Sequence, residues 1–158
     1  MFTIRTATLA DASLITAHRR AMFASMPDPN AEALDTMSRA FAPWVRESIG
    51  QGRYLGWIAE ENLRVAGSAG LLIVDWPPHR LHPDSSERGY LLNVFVEPEF
   101  RKRGLAHELI EKCLAEAHAR GIRVVTLHSS DAGRPVYEKF GFRPTSEMMF
   151  VGETASGS

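Results

Sequence analysis

Residues 89–127 constrain the fold more than any other stretch. Gly89–Val96 (GYLLNVFV) is strongly β in character, and Pro98 stops it. Residues 102–120 then place Leu105, Leu109, Ile110, Cys113, Leu114 and Ala117 on one helical stripe, with Gly121 to end it. Ile122–Leu127 follows as a short buried strand. A strand, a helix and a strand in this order make a parallel pair with the helix as crossover. The remaining elements sort around that unit. Phe2–Ala7 reads as a first strand. Asp11 can cap a helix whose inner face holds Leu14, Ile15, His18 and Met22 and which stops near Met26-Pro27. A second helix spans about Ala31–Ile49 along Leu34, Met37, Phe41, Trp44 and Val45, with a kink or break expected at Pro43 and Gly50 and Gly52 ending it. Tyr54–Glu60 and Leu63–Asp75 read as strands joined by Glu61-Asn62. A polar loop covers Trp76–Arg88, a short helix about 133–140, and a last strand Met148–Val151. The order β-α-α-β-β-β-α-β-α-β is α+β.

The chain has 158 residues, 44% hydrophobic and 23% charged, which excludes a disordered or collagen-like chain. One domain over 1–158 is expected, ordered to about residue 151, with a short C-terminal tail. Lys plus Arg number 18 against 19 Asp plus Glu, a net charge of −1, which argues against a nucleic-acid partner. The single cysteine, Cys113, forms no internal disulfide and suits a reducing compartment. No basic region followed by a long apolar run opens the chain, and no apolar stretch approaches the ~20 residues of a membrane span. These features predict a cytoplasmic protein without a membrane partner.

The chemistry concentrates where the first parallel strand gives way to its helix. Across Val94-Phe95-Val96-Glu97-Pro98-Glu99-Phe100-Arg101-Lys102-Arg103-Gly104-Leu105-Ala106, a strand ends, the chain turns, and helical amides gather around Gly104. Unpaired N–H groups and the positive end of the helix dipole suit an anion there, and Arg101, Lys102 and Arg103 add charge. A diphosphate is the natural occupant; the alternative is a basic helix start that is merely solvated.

At these residues the chain resembles the GNAT superfamily of acyl-CoA-dependent N-acetyltransferases. Arg101-Lys102-Arg103-Gly104-Leu105-Ala106 matches that family's Arg/Gln-x-x-Gly-x-Gly/Ala signature. A second match follows in Leu127–Phe142, ending Tyr137-Glu138-Lys139-Phe140-Gly141-Phe142. The resemblance covers nearly the whole chain. It implies a mixed, mostly antiparallel twisted sheet flanked by helices, with a splayed parallel strand pair that binds acetyl-CoA as cosubstrate and no metal. It implies that the pantetheine arm pairs with the edge formed by Val94, Phe95 and Val96, and that the Val94 amide polarises the acetyl carbonyl. The amides from Lys102 to His107, through Leu105 and Ala106, would cradle the pyrophosphate. Tyr137 matches the tyrosine that protonates the departing thiolate; its alternative is a core aromatic. Ser130 stands where many members place a cofactor-contacting Asn, and this departure leaves its role open.

The resemblance also implies direct attack by a neutral amine, so an ammonium must first lose a proton. Tyr90 stands where some members carry a catalytic Glu, and a phenol cannot serve as a carboxylate base. Glu87, Asp75, Glu97 and His128 are candidates for a water-relayed role, each with a structural alternative, and no base is assigned. Asn93 lies opposite Tyr90 and Val94 under strict alternation, but a bulge, usual in the family here, would turn it.

Ala66-Gly67-Ser68-Ala69-Gly70 nearly matches a nucleophile elbow, but the first glycine is missing and β-type residues follow, which predicts a bend or bulge in a strand. His79, His82 and Asp84 lack zinc-site spacing and read as a solvated loop. His107 and His118 fall on a polar helix face, and Cys113 reads as core. The acceptor is expected between the first two helices, with their Met26–Asn30 connection, and the 76–88 loop. Asp28, Asp84, Glu87, Met26 and Trp76 suit a small-molecule amine that is cationic with an apolar part. Acetylation of a protein N-terminus or lysine is the second reading, and an acyl-CoA-binding sensor without turnover the third. A homodimer is the common family assembly.

Overall fold

The computed structural model describes residues 1–153, so the last five residues of the expected C-terminal tail lie outside the description. Five strands form one mixed sheet in chain order: β1 (Thr3–Thr6), β2 (Tyr54–Glu61), β3 (Arg64–Asp75), β4 (Glu87–Val96) and β5 (Val125–Leu127). The first four are antiparallel neighbours and β5 joins β4 in parallel. The helices are α1 (Ala12–Ala24), α2 (Ala31–Gly50), α3 (Leu105–Ala119) and α4 (Arg134–Lys139). The chain divides into two compact units, Met1–His128 and the remainder from Ser129.

In the first unit, α1 and α2 pack on each other and on the sheet through Ala12, Ile15, Phe41 and Val45, which meet Tyr54 and Ile58 of β2. The α3 helix lies on β3 and β4, burying Leu105, Leu109, Ile110, Cys113 and Ala117. Burial pushes the Cys113 thiol up, as befits a core residue rather than a nucleophile. Gly121, at φ +74, closes α3 with two reverse bonds, its own N–H to His118 and that of Ile122 to Ala117.

Several local expectations change. Asp11 does not cap α1 with its side chain; Thr8 and Asp11 form a reciprocal capping box around the 3-10 turn Leu9–Asp11. Arg5 grips that carboxylate at 2.8 and 2.9 Å and holds Asp11 below the usual carboxylate range. Of the kink or break expected at Pro43, the break does not occur: α2 runs as one helix from Ala31 to Gly50. Both Pro43 and Arg39, whose carbonyl loses its donor, are exposed, while Phe41, Val45 and Ser48 anchor the inner face. Leu63 belongs to the β2–β3 turn instead of β3; it and Asn62 take the left-handed conformation, with φ +63 and +51. The expected strand Met148–Val151 is not formed. Its apolar side chains are exposed, Phe150 at 93%, and alternating burial, which makes such a run a strand, is missing.

The irregularity that matters most for the site lies on β4. Ser68 pairs with Phe95 and Gly70 with Leu92, so two steps on β3 face three on β4. The extra residue is a bulge at Asn93, whose φ is +56. It turns adjacent Leu92 and Asn93 to the same side: Leu92 packs on the α1–α2 cluster and Asn93 bonds a side chain of α1. Gly70 admits the partner of Asn93. A Cβ there would lie 2.2 Å from the buried Tyr54 hydroxyl. Gly70→Ala is therefore expected to destabilise the fold by about 1–3 kcal/mol through overpacking, read as a lower urea midpoint at unchanged m-value. An unchanged midpoint would show that Tyr54 is not fixed in place.

Candidate functional site

The parallel pair is short. Gly89, Tyr90 and Leu91 pair with Val125, Thr126 and Leu127, and the register ends there. Beyond it, Leu92–Val96 has β3 on one side and, among the described residues, no paired strand on the other. The parallel pairing thus stops short of the bulge at Asn93. Val94 has no register partner on β3 either, since the pairing jumps from Leu92 to Phe95. An edge of this kind offers backbone donors and acceptors to an extended ligand.

The turn after β4 is fixed by its own backbone and side chains. Arg101 Nε donates to the Val96 carbonyl at 3.0 Å, and its guanidinium lies 5.8 Å from the Phe95 ring. Lys102 and Gly104 both take left-handed backbone, φ +63 and +81, which swings the chain into α3. Among the described residues, no side chain caps that helix and nothing stands within 4 Å of where a Gly104 Cβ would be. Uncapped first-turn amides beside open space form an anion-binding arrangement. The three basic residues play unequal parts. Arg103 is committed to Glu61 by two bonds of 2.8 and 2.7 Å and lies over Phe2. Arg103, with the Met1 ammonium, holds Glu61 down to about 2. Lys102 is exposed and takes part in no ion pair among the described residues.

Two buried polar clusters join α1 to this strand. His18 places Nδ1 2.6 Å from Ser68 Oγ and Nε2 3.2 Å from Glu97 Oε1, with its ring on Phe95. Burial lowers the His18 pKa, with Glu97 opposing. The order serine–histidine–carboxylate resembles a hydrolytic triad, but Ser68 is 2% exposed inside β3, beyond a substrate's reach. The elbow-like glycines around it mark the irregular β3 register, as the sequence predicts. In the other cluster, Arg19 donates to Asn93 Oδ1 at 2.7 Å and Asn93 Nδ2 donates to the Tyr54 hydroxyl at 3.1 Å. Neither Arg19 nor Tyr54 stands out as a site residue from sequence. The available signal was the i, i+4 spacing of Ile15, Arg19 and Phe23, which sets a cation on an apolar stripe.

Of the proton-carrier candidates, His128 meets the Tyr90 hydroxyl with its Nδ1, and Glu97 turns to His18. Asp75 and Glu87 are exposed and face each other across the β3–β4 pair. The 76–88 loop is not simply solvated. His82 is 1% exposed, placing Nδ1 2.9 Å from the Ser85 carbonyl and Nε2 3.0 Å from Arg88, which also stacks on Trp76 at 4.4 Å. His82 is thus a loop-forming residue. No group of three His, Cys, Asp or Glu among the described residues is placed to hold a metal.

In the second unit, Gly133 precedes α4 and donates to Ser130 Oγ at 3.1 Å, so this hydroxyl shapes the turn into the helix. Tyr137 is half-buried, with its ring edge-on to Phe142 at 5.9 Å. His107 opens α3 and lies 3.5 Å from Glu111. Leu105 is in the core beneath the turn, and Ala106 follows it in the uncapped first turn.

The mixed sheet with its short parallel pair, and the glycine turn into an uncapped helix, define an acyl-CoA-type transferase architecture. A family model for the acetyltransferase (GNAT) domain matches residues 25–153, and the chain belongs to that family. It is similar to a solved GCN5-related N-acetyltransferase from Ralstonia eutropha JMP134, at 35% identity and a TM-score of 0.91, over 96% of this chain and 98% of that one. It is also similar to a predicted acetyltransferase from Clostridium acetobutylicum, solved with acetyl-CoA, at 27% identity and a TM-score of 0.83, over 96% of each chain. Human N-acetyltransferase 8 is 31% identical over 97 residues, 60% of this chain and 40% of that protein, so the match spans less than half of that relative's length. No helix among the described residues is long and apolar enough to cross a membrane.

Proposed function

We propose that this chain, acting as one N-acetyltransferase domain over 1–158, transfers the acetyl group of acetyl-CoA to the primary amine of a small molecule. The observation that carries the reading is the β4 edge at Leu92–Val96, open beyond the β5 pairing and leading into the uncapped start of α3. One ligand of suitable length meets both: its extended arm along the edge, its phosphates at the turn. The similarity to a structure solved with acetyl-CoA supports the same ligand.

Each residue then has a physical task. We assign the Val94 N–H, in a residue without a register partner on β3, the role of donor to the acetyl oxygen, where negative charge builds as the amine attacks. The first amides of α3, at Leu105 and Ala106, meet the pyrophosphate, with Lys102 as the nearby charge and Arg103 bracing the turn through Glu61. Tyr137 protonates the departing thiolate, its phenol O–H being the proton donor. The amine nitrogen forms its bond to the acetyl carbon, the carbon–sulfur bond breaks, and the nitrogen's surplus proton passes to water or a relay. The hydroxyl-to-imidazole contact of Tyr90 and His128 makes that pair the best-placed relay in the first unit.

The test is thiol release from acetyl-CoA across a panel of small primary amines, beside calorimetric titration with CoA. Saturable CoA binding and amine-dependent thiol release are expected. CoA binding without release to any amine would favour the sensor reading, and no CoA binding would overturn the proposal.

A further inference from the structure

Arg19 is a cation without an anion. Its guanidinium is partly buried between the rings of Phe23 and Phe41, at 5.0 and 4.9 Å, and its hydrogen bond runs to a neutral amide, Asn93 Oδ1, at 2.7 Å. Among the described residues no carboxylate pairs with it, and Nε is buried with no partner. The next residue shows the usual arrangement: Arg20 lies 2.7 Å from Asp35 of α2. Arg5 and Arg103 likewise hold carboxylates. Burial lowers the Arg19 pKa, with Tyr54 and Tyr90 opposing. A guanidinium carries five N–H donors in a planar fork matched to a two-oxygen anion. Taking that charge out of water is costly unless something pairs with it. The guanidinium lies over both aromatic rings, which favour its planar cation.

Its position says what completes it. Arg19 is one hydrogen bond from Asn93, the bulge residue directly before Val94. Asn93 is itself locked by Tyr54, which fills the space that Gly70 leaves open. We infer that Arg19 selects an acceptor amine bearing its own oxyanion, a carboxylate or phosphate, which docks on the guanidinium and aims the amine at the carbonyl held by Val94. The inference rests on the acetyltransferase reading and refines its substrate class. It also changes the expected acceptor: an acidic rim suits a purely cationic amine, whereas Arg19 requires one that carries negative charge as well.

The test compares amines in matched pairs, with and without the anion. The pairs are amino acids with their carboxamides, and O-phosphoethanolamine with ethanolamine, with thiol release followed at saturating acetyl-CoA and rates taken per neutral amine. The anionic member of at least one pair is expected to lead by roughly 10–100-fold in kcat/KM, the size of a charge-assisted contact. The pair that shows it separates carboxylate from phosphate. Arg19→Gln should erase the preference mainly through KM while CoA affinity by calorimetry holds, and Arg19→Lys should restore part of it. Equal or reversed rates within both pairs overturn the inference, a result that needs only the unaltered protein. A preference that survives in Arg19→Gln overturns the assignment to Arg19. CoA binding with no anionic amine accepted overturns it while the cofactor reading stands; loss of CoA binding in the unaltered protein removes the reading beneath it.

Discussion

Gly104→Val is expected to remove CoA binding from a chain that still folds. Gly104 sits at φ +81, a conformation costing an L-residue roughly 1–2 kcal/mol and a β-branched one more. The backbone must either carry that strain or turn away, and in both cases the first amides of α3 are re-aimed. The new side chain also enters the open space beside those amides, where the pyrophosphate is proposed to lie. Hydrogen bonds to charged groups contribute about 1.5–3 kcal/mol each, so losing two of them weakens CoA by ~10²–10⁴-fold. Calorimetry reads the affinity, and circular dichroism with thermal unfolding reads the fold. Gly104→Ala separates the causes: it carries the strain with a Cβ that meets nothing within 4 Å, and its loss should be intermediate. Equal CoA affinity in the valine variant and the unaltered protein would show that this turn binds no phosphate.

Tyr137→Phe should leave CoA affinity in place and lower kcat by about 10²–10⁴-fold, the range for one general acid. The ring and its edge contact with Phe142 remain, while the hydroxyl is gone. A proton donor acts where charge develops on the leaving sulfur, so its removal costs transition-state stabilisation and leaves substrate binding alone. A thiolate leaves fairly readily and water can substitute in part, which sets the low end of the range. Steady-state turnover with an amine found in the panel, together with CoA titration, measures the split. Unchanged turnover makes Tyr137 a packing aromatic, and lost CoA affinity makes it a cofactor contact. Lower kcat at constant affinity is the mark of the acid.

Much of this protein is written locally. The crossover unit from Gly89 to Leu127 was legible because strand propensity, a proline stop, a helical stripe and a terminating glycine agree along it. The turn at Arg101–Ala106 was legible for the same reason, since Gly104 and the helix after it are neighbours in sequence. The failures are equally local in origin. Pro43 predicts a kink or a break when read alone, and the break does not occur because buried Phe41 and Val45 anchor α2 on either side of it. Met148–Val151 has strand composition, yet composition supplies no partner for its backbone.

Tertiary structure decided what long-range contacts decide. Arg103 counts as phosphate charge in a tripeptide, but Glu61, 42 residues away, accepts from both of its terminal nitrogens. Ser68 and His18 are 50 residues apart and meet in the core. Asn93 gains a direction only when β3 and β4 fall out of step, and Arg19 gains meaning only when that bulge brings Asn93 to α1. The sequence by itself determined the order of the elements along the chain as far as α4, and the glycine turn, because periodicity and turn chemistry act within a few residues. Which charges are spent and which are left for a ligand was decided by the packing, because pairing energy depends on burial and distance, and these exist only once the chain has folded.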